Sequence, residues 1–228
     1  MKNTPKIQVF LFLSMLLFLL NNCTKSDDKP TDVPQPTVTD IDGNVYHVVT
    51  IGTQVWMVEN LKTTRYRNGD PLPYVSSATM WPFTVPGAYA NYDNYSGIGD
   101  EYGRLYNWQA VTDSRNLAPV GWHVPSDAEW TILTDFLGGE MAAGVKMKSK
   151  NGWGQGNGTN ESGFTALPGG TTGFDNYYGI YDIGSWWSST ETSVAGNAWT
   201  RYLSYDSDQI TRYSNSGYFG KSVRCIKD

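Results

Sequence analysis

The sequence predicts an α+β domain of short antiparallel strands, few helices and long loops. Of its 228 residues, 39% are hydrophobic and 17% are charged, with 24 glycines and 9 tryptophans. This composition favours a loop-rich domain with a real core over a helical bundle or a disordered chain. One helix is strongly marked over residues 126–137, and after residue 186 the pattern becomes one of short strands separated by turns.

The first 22 residues are typical of an export signal. Lys2 and Lys6 precede an apolar run over residues 7–20, which is short for a membrane span. The residues before Cys23 resemble the lipobox of bacterial lipoproteins, which predicts lipid attachment at Cys23; a plain secretory signal with an incidental cysteine is the alternative. The acidic tract 24–28 resembles the signal that directs lipoproteins to the cell surface in Bacteroidetes-like bacteria, although an ordinary solvated charge run has the same composition. We therefore expect an outer membrane lipoprotein, exposed at the cell surface.

The remaining chain divides into a tether and one domain. Residues 23–39 hold the predicted lipidated cysteine and a proline-rich segment that should be extended, and residues 40–228 should form the domain. Loss of residues 1–22 removes two lysines and no acids, which leaves 15 basic against 22 acidic residues and a net charge near −7. An acidic protein is a poor partner for nucleic acid.

The domain should begin with a β-hairpin. Residues 45–51 and 54–58 have strand composition and are separated by Gly52 and Thr53. Further on, the loop 91–101 carries hard oxygen ligands that could hold calcium, although turns use the same residue types. The ligands of this candidate calcium site would be Asp93, Asn94, Asp100 and Glu101. No other cofactor is expected.

Two helices are predicted in the middle of the chain. The first is a short one over residues 103–111, with Leu105, Trp108 and Val111 inward. The second begins at Ser126, whose hydroxyl suits the N-cap, and Glu129 three residues later completes a capping box. Its buried face has the helical spacing of Trp130, Leu133, Thr134 and Leu137, and Gly138 and Gly139 end it.

The last third should be an antiparallel meander. Strands are predicted near residues 186–189, 199–205, 209–213 and 221–226, with turns at 206–208 and 215–217.

Several motifs resemble those of the Fibrobacter succinogenes major paralogous domain, from about residue 40 to residue 228. They lie at residues 48–61, 103–108, 121–130, 164–170, 186–191 and 222–225. The Trp-x-x-Pro-x-x-x-Glu-Trp run and the Arg-Cys ending are more distantly similar to the formylglycine-generating-enzyme branch of the C-type lectin-like fold. The resemblance implies an irregular domain, with two helices beside small antiparallel sheets, and adjacent N- and C-terminal strands. It also implies a bacterial surface lipoprotein.

No enzyme activity is expected. The formylglycine-type oxidase relies on a pair of cysteines, whereas the mature domain has only Cys225, which should be a buried free thiol. His47 and His123 each sit in an apolar strand, which suits core or edge positions better than a zinc pair. No Gly-x-Ser-x-Gly elbow occurs.

The expected function is binding of an extracellular glycan or protein. In lectin-like folds the loops near the C-terminus often form the ligand surface, and tyrosine with Asn and Asp combines flat apolar area with hydrogen-bonding tips. The predicted C-terminal surface comprises Tyr202, Tyr205, Asp206, Asp208, Gln209, Arg212, Tyr213, Asn215 and Tyr218. The alternatives are a structural subunit of a surface assembly and, less favoured, a carbohydrate-active enzyme.

Overall fold

The computed structural model describes residues 35–83, 86–156 and 158–228, and short strands alternate there with short helices. The strands are β1 Thr37–Thr39, β2 Val45–Ile51, β3 Gln54–Met57, β4 Tyr89–Ala90, β5 Leu105–Tyr106, β6 Trp122–His123, β7 Gly169–Gly173, β8 Asn176–Ile180, β9 Ile183–Glu191, β10 Asn197–Ser204, β11 Ile210–Ser216 and β12 Ile226–Lys227. The α-helices are α1 Ser96–Tyr102, α2 Trp108–Val111, α3 Asp127–Phe136 and α4 Glu140–Met147, with 3-10 turns at Ala78–Phe83 and Tyr92–Asn94. The predicted α+β class is confirmed. None of the described helices is both long and apolar enough to cross a bilayer.

The largest sheet joins the two ends of the domain. Its strand order is β1-β2-β3-β12-β6, and neighbouring strands are antiparallel. The predicted hairpin is β2 and β3, and Ile226 of β12 pairs with Trp56 on one side and with His123 on the other. The C-terminal strand β12 is therefore adjacent to β3 of the N-terminal hairpin, whereas the first strand, β1, lies at the edge of the sheet.

The packed unit begins within the segment predicted as tether. Thr37–Thr39 forms β1, in which Thr37 lies opposite His47 and Thr39 lies opposite Val45. Threonine and valine favour strands, and a strand can follow Pro36 because proline lacks only the N–H donor, while its carbonyl accepts from the Val48 N–H at 3.1 Å. Residues 1–34, which include the predicted signal and Cys23, lie outside the described residues.

The meander predicted in the last third is present. β9, β10 and β11 form an antiparallel sheet in the order β11-β10-β9, with a register shift between Ala198 and Thr200. Two further pairs, β4 with β5 and β7 with β8, complete the sheets of the described residues. The predicted last strand is much shorter than expected, because only β12 pairs regularly after residue 221.

Helix α3 has the structure that its local sequence predicted. The Ser126 hydroxyl accepts from the Glu129 backbone N–H at 3.3 Å, and the Glu129 carboxylate accepts from the Ser126 N–H at 2.7 Å. Trp130, Leu133 and Thr134 are buried. The capping box is confirmed.

The first predicted helix was wrong over residues 103–107. Leu105–Tyr106 forms β5, and helix α2 begins only at Trp108 because Asn107 is its N-cap. The side-chain oxygen of Asn107 accepts from the N–H of Ala110 at 3.0 Å and from that of Ala88 at 2.9 Å. The described residues contain four α-helices where two were predicted; the two others are α1 and α4.

Four aromatic rings form the centre of the core. Trp56 and Trp130 have ring centroids 4.9 Å apart, and Phe164 and Trp186 lie within 6.4 Å of Trp130. The rings come from β3, α3, the segment before β7, and β9, so their contacts tie the largest sheet to α3 and to the meander.

Candidate functional site

A buried arginine explains why several sequence motifs occur together. Arg224 is fully buried, and its guanidinium donates to the side-chain oxygen of Asn60 at 2.7 and 3.0 Å. It also donates to the carbonyls of Met57 at 3.2 Å and Phe164 at 2.6 Å. Asn60 and Met57 belong to the motif at residues 48–61 and Phe164 to the motif at 164–170, so hydrogen bonds from Arg224 join three motifs of the scaffold.

Asn60 extends this network to the motif at residues 186–191 and to the end of helix α1. Its side-chain oxygen accepts from the indole N–H of Trp186 at 2.8 Å, and its amide N–H donates to the Tyr102 carbonyl at 2.8 Å. Because Asn60 is buried, each of these hydrogen bonds satisfies a group that would otherwise be desolvated without a partner.

The N-terminus of α3 holds a second buried charge cluster. Asp127 accepts from Arg201 at 2.7 Å and from Arg212 at 2.8 Å, and the Arg212 guanidinium lies 3.3 Å from the centroid of Trp199. Burial raises the pKa of Asp127, but the hydrogen bonds from Arg212 and Arg201 outweigh it and hold the pKa below the ordinary value. Arg212, a member of the predicted C-terminal surface, is therefore engaged in the scaffold.

The structure distributes the predicted C-terminal surface over two faces and two turns. Tyr202 and Tyr213 lie on one face of the meander, with ring centroids 5.8 Å apart, whereas Arg212 points to the opposite face. Tyr205 packs against the aromatic core, and Asn215 is partly buried. The exposed members are Asp206, Asp208, Gln209 and Tyr218.

Sequence reasoning missed a buried lysine beneath Tyr213. The Lys221 ammonium donates to the Ser185 hydroxyl at 2.9 Å and lies 5.5 to 5.8 Å from the rings of Trp187, Tyr213 and Phe219. Burial lowers its pKa to about 7. A serine beside a lysine can be a nucleophile and its base, but Ser185 and Lys221 are only 1% and 2% exposed. A substrate carbonyl cannot reach this pair.

His123 lies between two carboxylates at the edge of the largest sheet. Its Nε2 is 2.9 Å from Glu129, and its Nδ1 is 2.7 Å from Asp228. Burial lowers the pKa of His123, but the hydrogen bonds with Asp228 and Glu129 outweigh it and raise the pKa above the ordinary value. The cluster joins β6, α3 and the last residue of the chain. The other histidine, His47, is exposed on β2 and pairs with Glu59 at 2.7 Å.

The residues of the predicted calcium site lie on two elements. Asp93 and Asn94 end the 3-10 turn, with backbone φ angles of 49° and 60°, and Asp100 and Glu101 lie on α1. In the described part of the chain, no three His, Cys, Asp or Glu side chains come close enough to hold a metal ion. The calcium site remains a prediction that would need backbone and amide oxygens as well.

A tyrosine-rich surface lies around Asn94, and we call it the tyrosine face. It consists of Tyr74, Tyr89, Tyr92, Asn94 and Tyr177. The Asn94 side-chain oxygen accepts from the hydroxyls of Tyr74 at 3.2 Å and Tyr177 at 3.4 Å. The rings pair as Tyr74 with Tyr89, at 5.3 Å, and Tyr92 with Tyr177, at 5.2 Å. The only sequence signal was the abundance of tyrosine, because the members lie far apart along the chain.

Cys225 is buried and has no disulfide partner among the described residues, as predicted. Burial raises the pKa of its thiol well above the ordinary value, so a thiolate is strongly disfavoured.

Comparison with known protein families now adds to the geometry. No curated protein and no solved structure matches the chain. The model of the Fibrobacter succinogenes major domain matches residues 49–227, which include Asn60, the capping box of α3 and Arg224. The chain therefore belongs to the Fibrobacter succinogenes major domain family.

Proposed function

We propose that the protein is a non-catalytic cell-surface lipoprotein that binds an extracellular glycan or protein. The observation that carries the proposal is that the motif residues are buried in the scaffold, whereas polar and aromatic loop residues are exposed. Family motif residues such as Asn60 and Arg224 are buried and hydrogen-bonded to one another, whereas Tyr, Asn and Asp side chains are exposed on the loops. Exposed residues of these types suit recognition.

The burial, pKa values and existing contacts of the potentially reactive groups support the proposal that the protein is not an enzyme. The Cys225 thiol is buried with a raised pKa, and the Ser185 and Lys221 pair is closed to solvent. Glu129 already caps α3 and contacts His123. None of these groups combines a reactive protonation state with access to a substrate.

In this proposal the exposed residues of the C-terminal surface contact the ligand. Asp206, Asp208 and Gln209 occupy the turn between β10 and β11, and Tyr218 follows β11 with 45% of its surface exposed. Since Arg212 and Tyr213 already have partners in the scaffold, we expect the exposed members to make the ligand contacts.

Anchoring and fold complete the proposal. Lipid at Cys23 would attach the domain to the outer membrane, and membership of the family supports a surface protein. The pairing of the C-terminal strand β12 with β3 of the N-terminal hairpin is compatible with the C-type lectin-like architecture that we propose from the resemblance.

Two experiments test this function. Protease treatment of intact cells should degrade the protein, whereas full protection would exclude display at the surface. On arrays of glycans and cell-surface proteins, the triple variant Asp206→Ala, Gln209→Ala, Tyr218→Ala should lose the binding of the wild-type chain. Asp135→Ala, an exposed change on α3, is the matched control. Unchanged binding by the triple variant would contradict the assignment of the C-terminal surface.

One observation favours the alternative of a structural subunit in a surface assembly. Ile132 and Phe136, one turn apart on α3, are 50% and 63% exposed, and Met141 on α4 is 69% exposed. Exposed apolar side chains of this size are common in subunit interfaces. Light scattering should show an oligomer that Phe136→Ser dissociates if this alternative holds, and a monomer at high concentration would exclude it.

A further inference from the structure

We propose that the tyrosine face is a second binding site, specific for an uncharged oligosaccharide. Its members come from elements other than those of the C-terminal surface: the segment before the first 3-10 turn, β4, the second 3-10 turn and β8. The inference therefore goes beyond the proposed function, and each surface can be tested without the other.

The tyrosine face is fixed in place before any ligand binds. Asn94 bridges Tyr74 and Tyr177, and the amide N–H of Ile180 donates to the Tyr92 hydroxyl at 3.4 Å. Asp93 and Asn94 are held at positive φ angles, a conformation that non-glycine residues adopt uncommonly and that is enriched at functional sites. Fixed side chains lose little conformational entropy on binding, so the contacts they make contribute more fully to affinity.

The chemistry of the exposed groups suits a sugar. Tyr74 is 44% exposed, so part of its ring is open to a ligand. Tyrosine offers an apolar ring with a polar tip, and a sugar offers the complement: a C–H face bordered by hydroxyls. The Asn94 amide N–H donates to no described residue. Burial raises the pKa of Tyr177 to about 12, so its hydroxyl keeps its proton at neutral pH.

The charges around the tyrosine face disfavour the binding of anionic sugars. Asp93 and Asp182 lie near enough to Tyr92 to raise its pKa further, after the larger effect of burial. Among the described residues, the cation in contact with the face is Arg104, 5.6 Å from the Tyr89 ring centroid, and it already faces Asp100 at 4.0 Å. A carboxylate or sulfate on a ligand would meet net negative charge, which disfavours binding.

The small size of the face favours a sugar over a protein. Stable protein interfaces bury about 800 Å² on each partner and involve roughly 20–30 residues a side. The tyrosine face has five side chains, of which Tyr89, Tyr92 and Tyr177 are already half-buried. Five side chains are far fewer than a stable protein interface needs, which favours a small ligand such as a sugar.

The test is calorimetric titration of the full chain with cellotetraose, mannotetraose and, as the anionic counterpart, tetragalacturonate. We expect at least one neutral tetrasaccharide to bind and tetragalacturonate to bind more weakly. Tyr74→Ala should weaken binding by about tenfold or more. Tyr177→Phe, which keeps the ring and removes the hydrogen bond to Asn94, should weaken it several-fold. Asp135→Ala, an exposed change on α3 outside both surfaces, is the control and should bind as the wild type does. Tyr218→Ala, which removes an equally exposed tyrosine from the C-terminal surface, tests whether the ligand occupies that surface instead.

Three results would overturn the inference. The first is that neither neutral tetrasaccharide binds. The second is that tetragalacturonate binds as tightly as the neutral tetrasaccharides or more tightly. The third is that Tyr74→Ala and Tyr177→Phe both bind with the affinity of the wild type. If Tyr218→Ala alone loses binding, the ligand occupies the C-terminal surface; this would support the proposed function and overturn the tyrosine face. Near-ultraviolet circular dichroism of each variant distinguishes lost contacts from lost folding.

Discussion

Replacing Asp127 with alanine should destabilise the domain more than removing any other acidic side chain of α3. The Asp127 carboxylate contacts Arg201 at 2.7 Å and Arg212 at 2.8 Å. The Arg201 side chain is only 2% exposed, so its guanidinium depends on this partner, whereas that of Arg212 is 34% exposed. In the variant, Arg201 would keep hydrogen bonds to the carbonyl of residue 127 and the Thr131 hydroxyl but would lose its hydrogen-bonded carboxylate.

The magnitude follows from these exposures. Removing one partner of a buried ion pair costs about 3–5 kcal/mol, because the remaining charge stays desolvated. The Arg212 contact adds up to about 1 kcal/mol, since a partly exposed pair is screened by water. The total is a large part of the roughly 5–15 kcal/mol by which a domain of this kind is stable.

Urea unfolding followed by tryptophan fluorescence measures this loss. With a denaturant slope of about 1–3 kcal/mol/M, the midpoint should fall by at least about 1 M. Asp135→Ala, an exposed acid on the same helix, should change the midpoint very little. Since the pKa of Asp127 is lowered in the folded state, its contribution is present above the ordinary carboxyl pKa and is lost as the pH falls through the folded value. If the two variants unfold at the same urea concentration, the ion-pair reasoning is wrong.

Three further changes test other parts of the fold. Ser126→Ala should lower the free energy of unfolding by about 1 kcal/mol and leave ligand binding intact; loss of binding at unchanged stability would contradict a purely capping role. The wild-type free energy of unfolding should rise with pH between the folded pKa of Lys221, about 7, and its ordinary value, 10.5, because only the unfolded chain stays protonated there. Lys221→Met should flatten this rise, and an unaltered pH profile would refute the buried-amine account. Glu129 and Asp228 stabilise the protonated form of His123 in the folded state. The contribution of His123 to the free energy of unfolding should therefore be complete below its ordinary pKa of 6.5 and be lost as the pH rises through the raised folded value. His123→Gln should abolish that decline in urea unfolding, and a decline that persists in the variant must come from another group.

Local sequence rules predicted the elements whose stabilising contacts are close along the chain. Ser126 and Glu129 are three residues apart and bond to each other, so their pattern identified the start of α3. The hairpin of β2 and β3 and the meander of β9 to β11 also join neighbouring segments. The same rules gave a wrong start for α2, because Leu105 and Tyr106 pair with the distant strand β4 and the helix begins only after Asn107, its N-cap.

The candidate sites depended on contacts between distant residues. Arg212 had the composition of a binding residue, but it pairs with Asp127, 85 residues away. Tyr177 and Asn94, which meet in the tyrosine face, are 83 residues apart. Neither relation has a period or spacing that a sequence pattern could show.

The sequence by itself determined the α+β class, helix α3, the meander, the buried thiol of Cys225 and membership of the family. These follow from short-range capping, strand alternation and ordered motifs, which are properties of neighbouring residues. Only the tertiary structure decided which polar residues are used by the scaffold and which are left exposed. That choice depends on burial and on partners such as Arg224 and Asn60, which fold together from opposite ends of the domain.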